Sequence, residues 1–216
     1  MAYFPFYVEL KDVSVLIVGG GKVALHKVKR ILDTTPQPSP NTNHKSSTTL
    51  TRLANIKNIK GVEWEEREFE DSDVEGVRFV IAAAGDEELD EHITSLCNDK
   101  GILINVVDVK DKCDFIFPSV VSRGKLEIGI SSSGASPRIT TLLAWEIDSI
   151  LPDNIEEILD YLEKLRPYAK QKISNDVLRA RFLSYMAELT YSRRNIPDDE
   201  ELEKILNKFL NPIETI

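Results

Sequence analysis

The chain has 216 residues, is 42% hydrophobic and carries a net charge of -9. Its length suits one α/β domain of ordinary size plus a smaller appendage, with a core that needs no covalent staples. The acidic balance argues against a nucleic-acid partner, whose binding rests on phosphate neutralisation, and the apolar runs are far shorter than the ~20 residues of a membrane span.

The opening stretch, Met1 to Tyr7, has no basic flank before an apolar segment, so no signal peptide is expected and the cytoplasm is the expected location. Val13 to Val18 then reads as a strand buried on both faces, and it stops at Gly19, Gly20 and Gly21. An amphipathic helix follows from Lys22 to Leu32. In this register Gly19-x-Gly21-x-x-Ala24 fits the dinucleotide fingerprint: a first glycine for the turn, a second for close approach of a pyrophosphate, and a small residue for helix-on-strand packing. The phosphates would sit on free N–H groups at the positive end of the helix dipole. A Walker phosphate loop would need Gly at Leu16 and Ser or Thr at Val23, and has neither.

From Thr34 to Thr49 the pattern breaks. The segment holds no aliphatic or aromatic residue, and Pro36, Pro38 and Pro40 remove donors that an interior strand needs. The second strand of a dinucleotide fold and its acidic ribose ligand belong here. Neither is visible, so an irregular insertion is expected, with Thr48 to Leu53 as an alternative late strand. Further strands are expected at Val62 to Phe69, Arg78 to Ala83, Ile102 to Val107 and Lys125 to Ile130, with a helix over Glu87 to Lys100. This alternation predicts a Rossmann-like, mostly parallel sheet.

From Ser136 the chain is predicted to be helical. Ser136-Pro137 is a helix start, and after Pro152 three apolar stripes mark three short helices. The stripes run through Ile155, Ile158, Leu159, Leu162 and Leu165, through Leu178, Phe182, Tyr185 and Leu189, and through Leu202, Ile205, Leu206 and Phe209. Cys97 and Cys113 form no Cys-x-x-Cys pair and read as buried free thiols. His26, His44 and His92 have no metal-ligand spacing, so no metal site is expected.

Beyond the glycines, Ile104-Asn-Val-Val-Asp108, Phe115-Ile-Phe-Pro-Ser119 and Ile130-Ser-Ser-Ser-Gly-Ala-Ser-Pro137 follow in order, after the opening Phe4-Pro-Phe-Tyr-Val-Glu-Leu10. The set closely resembles the precorrin-2 dehydrogenase and sirohydrochlorin ferrochelatase family, the N-terminal module of siroheme synthases. The resemblance spans nearly the whole chain apart from Thr34 to Leu50. It implies a homodimer that oxidises precorrin-2 to sirohydrochlorin with NAD as hydride acceptor. It also implies an NAD-binding domain over residues 1–114, a dimerisation and substrate region over 115–151, and a helical domain over 152–216. Iron insertion is present in some members of the family and absent from others.

The resemblance places the catalytic aspartate on Asp108 and NAD contacts on Lys22 and Val23, beside Gly19, Gly20 and Gly21. The residues support Asp108 independently, because positions just past the strand ends of an open parallel sheet line the ligand crevice. A carboxylate there can serve as general base or as a plain turn residue. Asn105 lies within a strand, where its amide is either paired with backbone or lines the substrate crevice. Ser132 matches a substrate-facing or regulatory serine of the family, and Arg138 is the favoured cation for a tetrapyrrole carboxylate. Other readings are a nucleotide-sensing binding module on the same fold, or a disabled or chelatase-only homologue prompted by the segment 34–50.

Overall fold

The computed structural model describes residues 3–11, 13–34, 45–48 and 62–211. They divide into two compact units, Met1–Phe117 and Pro118–Ile216.

The first unit is built on β1 (Val15–Val18), α1 (Lys22–Thr34), β2 (Lys45–Thr48), β3 (Glu63–Glu66), β4 (Phe79–Ala82), α2 (Glu87–Lys100) and β5 (Leu103–Val106). β1, β4 and β5 form a parallel sheet in the order β1-β4-β5, with Val18 beside Ala82 and Ala82 beside Val106. Side chains alternate between two cores, as a pleated strand requires. Leu16, Val18, Val80, Ala82, Ile104 and Val106 pack with Ile93 and Cys97 of α2. Val15, Ile17, Phe79 and Ile81 pack on the opposite face with Ala24 and Val28 of α1. Each fully buried aliphatic side chain contributes roughly 1.5–3 kcal/mol. Both faces are covered, so the strands read as continuous apolar runs.

The expectation of no strand between Thr34 and Thr49 is overturned. β2 occupies Lys45–Thr48, pairs in parallel with β3 and lies alongside β1. β2 and β3 form a two-stranded ladder of their own beside β1, and the spatial order β3-β2-β1-β4-β5 is that of a dinucleotide-binding fold. Apolar periodicity missed this strand because it is entirely polar, and its partner β3, Glu-Trp-Glu-Glu, is largely exposed. Backbone N–H and C=O groups pair in the same way whatever the side chain. The prolines at 36, 38 and 40 lie upstream of the strand, so no ladder donor is lost. Residues 35–44 and 49–61, including the alternative late strand, lie outside the described residues.

The second unit opens with β6 (Ser119–Arg123) and β7 (Leu126–Ile130), an antiparallel hairpin turning at Gly124-Lys125. β6 was not foreseen, since the Phe115 to Ser119 stretch reads more readily as a motif than as the lead-in to a strand. Four helices follow: α3 (Pro137–Ile150), α4 (Ile155–Lys172), α5 (Asp176–Arg193) and α6 (Asp199–Leu210). The last three share a core of Leu165, Ala169, Phe182, Met186, Leu202 and Leu206, drawn from the three expected stripes and their neighbours. The hairpin is tied to α3 through Ser119 Oγ donating to Thr140 Oγ1 at 2.9 Å and through the Arg123–Asp148 ion pair.

Candidate functional site

The C-terminal ends of β1, β4 and β5 lie on one edge of the sheet, and the loops leaving them are tied together by backbone bonds. Ala83 N donates to Val18 O at 2.7 Å, and Val107 N donates to Ala82 O at 2.9 Å. The glycine turn and the turn carrying Asp108 therefore flank one central loop.

The three glycines do different work. Gly19 has φ +124°, and a Cβ there would lie 2.2 Å from Ala83 O, so only glycine fits between the strands. Gly20 is buried behind it. Gly21 is exposed, and a Cβ on it would meet nothing within 4 Å, so the space in front of this backbone is open. Its carbonyl accepts Leu25 N at 3.1 Å, which makes Gly21 the N-cap of α1. Lys22 and Val23, both exposed, begin the helix. Among the described helices α1 alone has neither a side-chain cap nor an acid in its first turn. Its first N–H groups and the positive pole are left for an external anion, which suits a pyrophosphate.

Asp108 is exposed and has φ +64°, a left-handed conformation uncommon for any residue with a Cβ. It sits in the turn closed by Val109 N donating to Val106 O at 3.3 Å, directly past the end of β5. Asn105, buried in β5, donates from Nδ2 to Phe115 O at 2.8 Å and to Cys113 Sγ at 3.4 Å, so its amide ties the returning chain to the strand. Asp114 adds a reciprocal tie: Ile104 N donates to Asp114 Oδ2 at 2.9 Å, and Asp114 N to Ile104 O at 2.8 Å.

Two residues near Asp108, Lys27 and Cys113, were not assigned to the site from sequence. Lys27 of α1 places its Nζ 4.0 Å over the Phe117 ring. Burial and the nearby Arg30 lower its pKa, while Cys113 and Asp108 act to raise it, which puts all of them within electrostatic reach. The signal was present: Lys27 falls between Ala24, Val28 and Ile31 on the apolar stripe of its helix, an odd place for a cation. Cys113 is half-buried, and burial raises its pKa, so it remains a protonated thiol.

The other two expected site residues belong to the second unit. Ser132 Oγ accepts Ser136 N at 3.0 Å, Ser131 Oγ accepts Ser133 N at 3.0 Å, and Ser136 Oγ caps α3 through Ile139 N at 3.3 Å. Arg138 is exposed and lies 5.2 Å from the Trp145 ring centre.

Residues 6–119 match the family model described as "Putative NAD(P)-binding". A siroheme synthase of Thioalkalivibrio sulfidiphilus is 35% identical over 98% of this chain and 43% of its own length. A siroheme synthase 1 of Klebsiella pneumoniae is 34% identical over 84% of this chain and 38% of its own length. The chain thus spans about two fifths of these curated relatives. Among solved structures, one titled "SirC, precorrin-2 dehydrogenase" superposes with a TM-score of 0.72 over 96% of this chain and 99% of its own, at 20% identity. That likeness shows a shared fold across both units.

Proposed function

The chain belongs to the NAD(P)-binding family matched over residues 6–119, and from that premise we propose that it is an NAD-dependent precorrin-2 dehydrogenase acting in siroheme synthesis. The observation that carries this is the pairing of an uncapped α1 N-terminus with an exposed, left-handed Asp108 on one edge of one sheet. Gly19 to Val23 hold the cofactor, with Gly21 giving its pyrophosphate access to the backbone. When bound, NAD supplies the hydride acceptor. Oxidation also releases a proton from the substrate, and the Asp108 carboxylate takes it.

Substrate carboxylates are assigned to Arg138, with Ser132 beside the same helix start, and Asn105 fixes the floor of the Asp108 turn. The same reading makes residues 115–151 the dimerisation region of a homodimer. Supporting it, α3 leaves Ile139, Leu143, Trp145 and Ile150 exposed, a run of large apolar side chains on one short helix. A cytoplasmic location is consistent with two free thiols, and no described helix is long and apolar enough to cross a membrane.

The test is Asp108→Asn. NADH formation from precorrin-2 should fall by ~10²- to 10⁴-fold with NAD affinity retained. A variant within a factor of two of the parent rate would remove Asp108 from the reaction.

A further inference from the structure

The turn that presents Asp108 is held by one side chain that the reaction itself does not require. Cys113 Sγ lies 3.2 Å from Val106 O and 3.3 Å from Val109 O, the carbonyls at the two ends of that turn. The same sulfur accepts Asn105 Nδ2 at 3.4 Å. Three strap bonds hold the surrounding chain in place: Asn105 to Phe115 O and the two between Ile104 and Asp114. None of them touches Val109, the residue immediately after the left-handed position. Backbone holds Val109 through its own N–H to Val106 O at 3.3 Å and through Lys112 N donating to its carbonyl at 3.1 Å, and among the described residues the thiol is the side chain that bridges both ends of the turn and opposes the relaxation of Asp108 out of φ +64°. A left-handed non-glycine residue costs about 1–3 kcal/mol and persists only where its surroundings over-determine it.

We propose that Cys113 is a positioning residue for Asp108: its S–H, shared between Val106 O and Val109 O, locks the left-handed turn that aims the carboxylate at the substrate. The proposal rests on Asp108 being the base. Burial keeps the group a neutral thiol, which is the form able to donate. The role is one of aim, and displacement of a reacting group by about 1 Å can cost ~10²-fold in rate.

The experiment compares Cys113→Val, which keeps the volume and removes the donor, with Cys113→Ser, which keeps a donor, and with Asp108→Asn in the same assay. Cys113→Val should lower kcat by ~10-fold or more while leaving the Kd for NAD unchanged, and Cys113→Ser should restore kcat to within about twofold. Equal impairment of the Val and Ser variants, or a Val variant within twofold of the parent, overturns the proposal. If Asp108→Asn is inactive while Cys113→Val is normal, the base assignment stands and the positioning role falls. If Asp108→Asn is active, the base assignment itself falls, and the positioning role with it. The infrared S–H stretch of the unmodified protein, assigned by its loss in Cys113→Ser, gives a readout independent of folding in the variants. A frequency lowered by hydrogen bonding supports the lock, and that of a free thiol overturns it.

Discussion

Two strand-to-helix junctions in this chain solve one problem in opposite ways. Between β1 and α1 the chain uses glycine, which has no side chain to cap the first N–H groups of the helix, and no acid stands in its first turn. Between β7 and α3 it uses serine, and the hydroxyls of Ser131, Ser132 and Ser136 each accept a nearby backbone N–H. A third junction, from β4 to α2, is closed more firmly still. There the Asp86 carboxylate accepts Glu88 N and Leu89 N, and Glu87, Glu88 and Asp90 crowd the first turn. A helix start can satisfy itself or receive a ligand. Of the two described helices that begin at the site edge of the sheet, only α1 is left open, and this contrast is what supports the proposed pyrophosphate site at α1.

The most damaging way to disturb the first junction is Gly19→Ala. With φ at +124° and backbone 2.2 Å from the added carbon, it should cost about 3 kcal/mol, read as a fall in the urea midpoint. Gly21→Asp converts the open junction into the closed type. It should leave stability equal or higher by a few tenths of a kcal/mol, while carboxylate–pyrophosphate repulsion weakens NAD binding by ~30-fold in calorimetry, equivalent to roughly 2 kcal/mol. If that variant bound NAD normally, the contrast between the junctions would carry no functional meaning. Ser136→Ala opens the α3 end and should cost ~1 kcal/mol, with NAD affinity unchanged.

A smaller effect tests the third junction by pH. Asp90 is buried, one of its carboxylate oxygens has no hydrogen-bond partner, and burial followed by the Asp86 charge raises its pKa. The folded form therefore binds this proton more tightly than the unfolded chain does. The associated stability is full below the ordinary carboxylate value of 3.8 and is lost as pH rises through the folded pKa. Asp90→Asn should raise the Tm at neutral pH, with the gain shrinking toward pH 4. A gain of the same size at both ends would show that its origin is not this ionisation.

Where the sheet is buried on both faces, the sequence was easy to read. The Val15–Val18 strand, its glycine turn and the strand ending at Ala82 stand out because burial demands unbroken apolar runs, and the strand ending at Val106 is broken only by Asn105. β2 gives no apolar signal, because Lys-Ser-Ser-Thr looks like any polar loop while its backbone pairs with β3. The site divides the same way. Asp108 was singled out by its position after a strand together with the Asn-Val-Val-Asp motif, both of them local features. Its positive φ and the thiol bonded across its turn are features of the folded loop, and Lys27, within electrostatic reach of it, is brought there by the fold from 81 positions away. Asn105 shows the limit clearly: sequence left two roles open, and the structure commits its amide to the Phe115 carbonyl.

The chain has two tryptophans, and the fold distributes them one to each unit: Trp64 on β3, and Trp145 on the exposed face of α3. Trp145 is 60% exposed with the Arg138 guanidinium over its ring, so its emission depends on water and on that cation. The protein thus carries a built-in optical gauge of its own α3 surface. In a Trp64→Phe background, if α3 joins two copies as proposed, dilution that separates them would red-shift the remaining fluorescence, and a carboxylate-rich ligand drawing Arg138 away would change its intensity.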